Sequence, residues 1–385
     1  MSKGLHKETA LLLAKRIPIS GMVGLFALLN GPAHALDIRA FSDIRFETTD
    51  QTDSATQFVL GGLDIFASQD IDDNTDVFFE YVIENDGEQF VTDLERLWVK
   101  REVTPYLAIA AGRFHTPLGY WNRSFHHGVL IQDTVSRPGF LDFEDGEGAL
   151  LPMHTIGVEG TGGFRIGGLE LTYELIMGNA YSFNTDDSVN ATPPGPGLEI
   201  GLRNVSDLSN DKTYAGRVTV AHDALPLELG FSAMSTSYIE AGTGNAAFGS
   251  IALGKSLVDQ IVLGIDLQLI TETLSILTEF FNISNESQVP GVESTSAQAG
   301  YVQVAYRILP WFQPAYRYEI VQSIDDQDTY FQIINAEEGI HHIAALRFDL
   351  DETNAVTLEV DRHDQENAAL EDYTEIRVDW SFLMF

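Results

Sequence analysis

The 385-residue chain has no cysteine, which excludes disulfides, thiolate metal sites, covalent haem attachment and cysteine nucleophiles together. Lysine is nearly missing as well. Beyond residue 35 only Lys100, Lys212 and Lys255 occur, and 22 basic against 57 acidic residues give a formal charge of −35, so nucleic acid is excluded as a partner. After residue 35 no apolar run is long enough for a membrane-spanning helix. An acidic excess alone would suit a disordered chain, but 44% hydrophobic and 10% aromatic residues require a folded one. Much of the acid clusters at 70–76, 142–147, 325–328 and 361–366, as solvated turns and loops do. Outer-face carboxylates of this kind also suit divalent cations bridging lipopolysaccharide.

What the chain has in abundance is alternation. In the last ten residues Ile376, Val378, Trp380, Phe382 and Met384 make an apolar face, and Arg377, Asp379 and Ser381 a polar one. In a water-soluble domain this strand would be an adhesive open edge, which proteins avoid. In a bacterial outer-membrane barrel it is the closing strand, with its aromatics in the interface girdle. Phe385, out of phase with the Met384 face, is similar to the terminal address read by the barrel-assembly machinery.

The amino end agrees. Lys3, Lys7, Lys15 and Arg16 precede a short apolar core at 21–29 and an A-x-A site at Ala33-His34-Ala35, the three parts of a secretory signal. Lys15 and Arg16 interrupt the apolar stretch and leave too few residues for a membrane anchor. The expectation is a removable signal at 1–35 and a single transmembrane barrel domain at 36–385, located in the outer membrane of a Gram-negative cell.

Alternating segments continue along the chain. Ile38, Ala40, Ile44 and Phe46 oppose Arg39, Asp43, Arg45 and Glu47; Ile261, Leu263, Ile265, Leu267 and Leu269 oppose Gly264, Asp266 and Gln268. The pattern predicts strands near 37–48, 58–68, 76–85, 91–101, 106–115, 154–164, 168–179, 213–222, 226–238, 257–270, 273–284, 297–309, 311–322, 339–350, 355–363 and 374–385. The fold class is therefore all-β, an antiparallel transmembrane barrel of about sixteen strands, as in a general porin. Short turns at 70–74, 103–105, 223–226, 309–310 and 351–354 alternate with long loops at 116–153, 180–212, 239–256 and 285–296, the first set periplasmic and the second extracellular or folded into the pore. Thr192–Gly197, rich in proline and glycine, belongs to one of these loops.

The sharpest motif is Ala111-Gly112-Arg113-Phe114-His115-Thr116-Pro117-Leu118-Gly119-Tyr120. With Asp93–Lys100, Pro105 and the strand from Tyr106, it resembles the strand-then-loop element of the phosphate-selective porin O/P superfamily over roughly residues 90–125. The resemblance implies a sixteen-stranded, usually trimeric diffusion channel. It does not imply phosphate, because selectivity in that family rests on lysine and arginine ladders and this chain has three lysines beyond residue 35.

The long loop after the motif is the candidate constriction. Arg113, His115, Arg123, His126, His127, Asp133, Arg137, Asp142, Glu144 and Asp145 are its pore candidates. An ordered extracellular cap or trimer-contact loop is the other reading of the same segment. By alternation, Arg39, Arg45, Glu80, Arg217, Arg307, Arg317, Arg347 and Arg377 face the lumen, where interleaved arginines and carboxylates either set a transverse field or brace the wall.

Three patterns mislead. Gly249, Gly254, Lys255 and Ser256 spell a phosphate loop, but a glycine-rich loop precedes them and an alternating strand follows, so the helix that phosphate binding needs is missing. Adjacent histidines such as His126-His127 and His341-His342 point to opposite faces of a strand, so each pair offers one ligand and no spacing fixes a third; no metal site is expected. Nothing in the sequence brings a nucleophile, histidine and carboxylate together, so neither an enzyme nor a cofactor is expected. The functional expectation is a passive channel for small hydrophilic solutes or ions, with outer-membrane lipid, lipopolysaccharide and two further copies of itself as partners. A solute-specific channel and a non-conducting binding barrel are the alternatives.

Overall fold

A computed structural model describes residues 36–51, 54, 56–85, 90–125, 128–141, 149–183, 207–242, 248–365 and 371–384. Sixteen strands form the wall: β1 (Asp37–Thr49), β2 (Gln57–Asp72), β3 (Thr75–Asn85), β4 (Phe90–Thr104), β5 (Leu107–His115), β6 (His154–Ile166), β7 (Leu169–Asn179), β9 (Lys212–His222), β10 (Leu227–Glu240), β11 (Ser256–Ile270), β12 (Leu274–Ser287), β13 (Thr295–Tyr306), β14 (Phe312–Gln322), β15 (Gly339–Asp349), β16 (Asn354–Gln365) and β17 (Tyr373–Leu383). Each pairs antiparallel with its neighbours in chain order, and β17 closes on β1 from Phe41↔Leu383 to Thr49↔Glu375. Closure leaves no open sheet edge, which a wall lying in hydrocarbon requires. Each strand predicted from alternation corresponds to one wall strand; β13 stops at Tyr306, three residues early, because the chain turns over 307–311.

Alternation becomes a physical division. On β11, Ile261, Leu263 and Ile265 are about half exposed on the outside, while Gln260, Asp266 and Gln268 are buried inside. Val302, Val304 and Tyr306 repeat this outward pattern on β13, and Leu358 and Val360 on β16. The result is a continuous apolar outer band with a polar interior, the arrangement of a barrel solvated by lipid chains.

Turns of two to five residues lie at one end of the barrel, and loops of up to 38 residues (116–153) at the other. Two elements were not legible in the alternation. The three-residue strand β8 (Tyr181–Phe183) runs parallel to the end of β10, pairing Tyr181 with Tyr238. A short helix, here α2 (Thr329–Ile333), is capped by Asp328, whose carboxylate accepts from the backbone of Tyr330 and Phe331. Both pack inside the tube. With the long loop they bury Tyr181, Phe183, Tyr330 and Phe331 against Tyr238, Val262, Leu277, Phe281 and Tyr301, so the lumen holds an off-centre apolar core against β10–β13.

Candidate constriction site

Two glycines of the motif stand where no side chain fits. Gly112, on β5, has φ +150°, and a Cβ there would collide with the backbone of Leu97 and Trp98 on β4. Gly119 has φ +67°, and a Cβ there would strike the Glu279 carboxylate of β12. Between them Thr116 donates its backbone N–H to Met153 O (2.7 Å), joining the two ends of the loop, and Leu118 is buried in the core. The helix α1 (Trp121–Phe125) follows, and Trp121 donates its N–H to Glu279 Oε1 at 2.6 Å.

From there the loop crosses the tube, held by inward side chains of the far wall. Glu319 on β14 accepts from Gly139 N (2.9 Å), and Glu359 on β16 from Val135 N (2.6 Å) and Ser136 N (3.1 Å). Arg317 is fully buried. It donates to Thr134 Oγ1 (2.7 Å), Ser136 O (2.9 Å), Ser136 Oγ (2.9 Å) and Arg137 O (3.0 Å), and it pairs with Glu319 at 2.5 Å. Arg347 donates to Gln132 O (2.7 Å), and Gln303 and Gln313 donate to Asp133. Gln313 is the second residue of β14, so the loop descends almost to the short-turn rim. A loop whose own peptide groups are satisfied by buried wall charges is fixed rather than draped.

The candidate residues divide accordingly. Arg123 sits on α1 and makes a two-point contact with Glu174 (2.7 and 2.8 Å), with Glu159 at 4.0 Å. Burial alone would lower its pKa, but Glu174 and then Glu159 raise it above the usual arginine range. Asp133 and Arg137 lie on the crossing segment. His126, His127, Asp142, Glu144 and Asp145 fall outside the described residues. Arg113 and His115 do not face the lumen. Arg113 pairs across from the outward Leu97, so strand parity puts both on the other side of the wall, where Arg113 meets Asp93 (3.3 Å) and His154 (3.2 Å). The reason is phase: Phe114 takes the inward position, packed with Ala110 and Ile176, so its neighbours on β5, Arg113 and His115, take the other face.

Among the wall candidates, Arg317 and Arg347 lie under the loop rather than along open water. Arg45 approaches Asp43 and Asp379 (3.7 and 3.9 Å), Arg217 clamps Asp266 (2.6 and 3.0 Å), and Arg377 bridges Glu359 and Asp361 (3.0 and 3.2 Å). Glu80 pairs with Arg96. Arg39 holds Asp37 at 3.0 Å near the short-turn rim, and Arg307 lies in the turn after β13, bonded to Gln313 at 2.8 Å. Sequence reasoning missed an inward aromatic row: Phe41, Phe66, Phe78 and Trp98 step across β1–β4 at ring spacings of 5.0, 6.1 and 5.3 Å, with Arg96 over Phe78 and Lys100 over Trp98. It shares its phase with Asp43, Asp64 and Glu80, a parity signal present in the sequence.

Comparison with known proteins gives a likeness of shape alone. No protein-family model matches the chain, and no curated protein sequence matches it. The solved anion-selective porin from Comamonas acidovorans superposes with a TM-score of 0.58 at 9% identity, covering 91% of this chain and all of the porin. The outer membrane channel DcaP of Acinetobacter baumannii gives 0.55 at 10% identity over 94% of this chain and all of DcaP. OmpF of Salmonella typhi gives 0.56 at 11% identity over 91% of this chain and 98% of OmpF. The fold is that of the outer-membrane porins.

Proposed function

We propose that this chain is an outer-membrane diffusion channel for small hydrophilic solutes or ions, working as a homotrimer and without enzymatic activity. One observation carries the reading: the described part of the longest loop lies inside the tube, fastened by Glu279, Glu319, Glu359, Arg317 and Arg347. A loop held across a wide barrel narrows it to an aperture whose lining selects by size and charge. Sixteen strands enclose far more space than side chains alone fill. The titles of the neighbours, an anion-selective porin and an outer membrane channel, support a channel, and a trimer form of Vibrio cholerae OmpT supports the trimer. Residues 1–35 serve as the export signal, and the strand ending at Phe385 as the address for barrel assembly. The 90–125 element supports a place in the phosphate-selective porin O/P superfamily, while the scarcity of lysine argues against phosphate as the solute.

The test is planar-bilayer recording of the purified protein. Stepwise currents in groups of three are expected. Block by one solute at low concentration would narrow the reading to a solute-specific channel. A correctly folded barrel that conducts nothing would overturn it in favour of a binding or structural role.

A further inference from the structure

The loop-side end of the lumen wall carries a cluster that the channel reading leaves unused. His341 on β15 lies directly across from His363 on β16, and Asp361 precedes His363 by two residues on the same inward face. The two imidazole rings are 4.1 Å apart between centres. One ligand atom from each of the three residues lies within 4.8 Å of the others, and His363 Nε2 is 3.2 Å from Asp361 Oδ2. His363 is only 7% exposed, yet neither of its ring nitrogens makes a hydrogen bond, and Asp361 Oδ1 is likewise buried without one. Its ring is held in place by stacking on Tyr373 at 4.1 Å.

A buried imidazole with no well-aligned hydrogen bond is costly unless something else engages it, and the Nε2 of His363 faces two carboxylates, Asp361 and Glu375 at 3.2 and 3.6 Å. The surroundings favour a cation. Glu319, Glu359, Asp361 and Glu375 face the cluster against Arg317 and Arg377, two negative charges in excess. We propose that His341, Asp361 and His363 form a binding site for a borderline divalent transition-metal cation on the lumen wall beside the loop. Two imidazoles and a carboxylate suit zinc, copper or nickel, whereas calcium and magnesium take oxygen ligands throughout. Ligands at about 2.0–2.1 Å in a tetrahedron lie about 3.3 Å apart, so the trio closes on an ion by small ring rotations. The Cε1 of His341 lies near Gly139 on the crossing loop, which places the ion where the loop meets the wall.

The site stands apart from the channel reading, because binding is measured in detergent whether or not the barrel conducts. Calorimetric titration of the full-length solubilised barrel with Zn2+ is expected to show one ion per chain. His341→Gln and His363→Ala should each weaken it by more than about tenfold. His342→Ala is the control: it removes the neighbouring histidine, which points outward to Tyr316 Oη at 2.7 Å, and it should change nothing. With Cu2+ as the probe, electron paramagnetic resonance should show two coordinated nitrogens in the parent and one in His341→Gln. Lack of Zn2+ binding by the parent, binding that survives the His341→Gln, His363→Ala double variant, or equal loss in His342→Ala would each overturn the proposal. Should His363→Ala fail to fold, His341→Gln alone decides.

Discussion

Replacing Arg317 by methionine tests whether wall charges hold the loop. Methionine keeps most of the apolar stem and removes the guanidinium. Four hydrogen bonds to Thr134, Ser136 and Arg137 disappear, together with the bonds to Gln303 and Glu319, and Glu319 is left buried with one remaining donor, Gly139 N. Breaking a buried ion pair from one side costs about 3–5 kcal/mol, much of it the stranded partner. The individual bonds are not additive with that figure, so the docked loop should lose about 3–5 kcal/mol, or about two to three and a half powers of ten in its docking equilibrium at about 1.4 kcal/mol each. The wall should survive, since its ladder hydrogen bonds run between strands and do not involve the loop. The expected result is a barrel of normal heat-modifiable mobility whose single-channel current flickers to larger levels and whose loop is cut sooner by chymotrypsin at Phe140. Arg39→Met is the comparison, because its ion pair with Asp37 is exposed and worth about 0–1 kcal/mol. Parent-like current, noise and cleavage in Arg317→Met would show that the loop is held by something else.

Three further outcomes follow from the geometry. Gly119→Ala should destabilise the loop more than Gly167→Ala: both glycines have positive φ, which costs a side chain about 1–2 kcal/mol, but only at Gly119 does the new methyl meet Glu279; equal thermal shifts in the two variants would contradict this. Leu263→Arg places a charge on the outer band and should cost about 2–4 kcal/mol in folding into lipid vesicles; a neutral result would remove hydrocarbon from that face. Arg123→Met strips the partner from partly exposed Glu174, so the reversal potential should shift toward cations; an unchanged potential would place Arg123 off the permeation path.

The wall was legible because one face of each strand meets lipid and the other a polar interior, a division that a period of two records directly. The inner core was not. On β11, Val258 and Val262 lie inside, within the core, while Ile261 and Leu263 lie outside, so both faces are apolar there and parity alone cannot tell which one the loop covers. β8 escaped for a related reason: three residues carry too little periodicity to register. The loop was visible by length, but its path depends on glutamates hundreds of residues away, such as Glu359 beneath Val135. His341 and His363 are different, since the signal was there. Asp349↔Ala355 fixes the hairpin, and reflection through that turn sends His341 to His363. Treating His341-His342 as the pair looked along the strand instead of across it.

The eccentric packing inside the tube divides its circumference into two mutational regimes. Strands β10–β13 carry a globular interior on their inner side, where trimming Phe281 or Tyr301 should be felt as in any protein core. Strands β2–β4 present half-covered rings and cations to the passage, where substitutions change what traverses the tube more than whether it folds. On the proposed channel role, permeability can change on one arc while the opposite arc keeps the molecule intact.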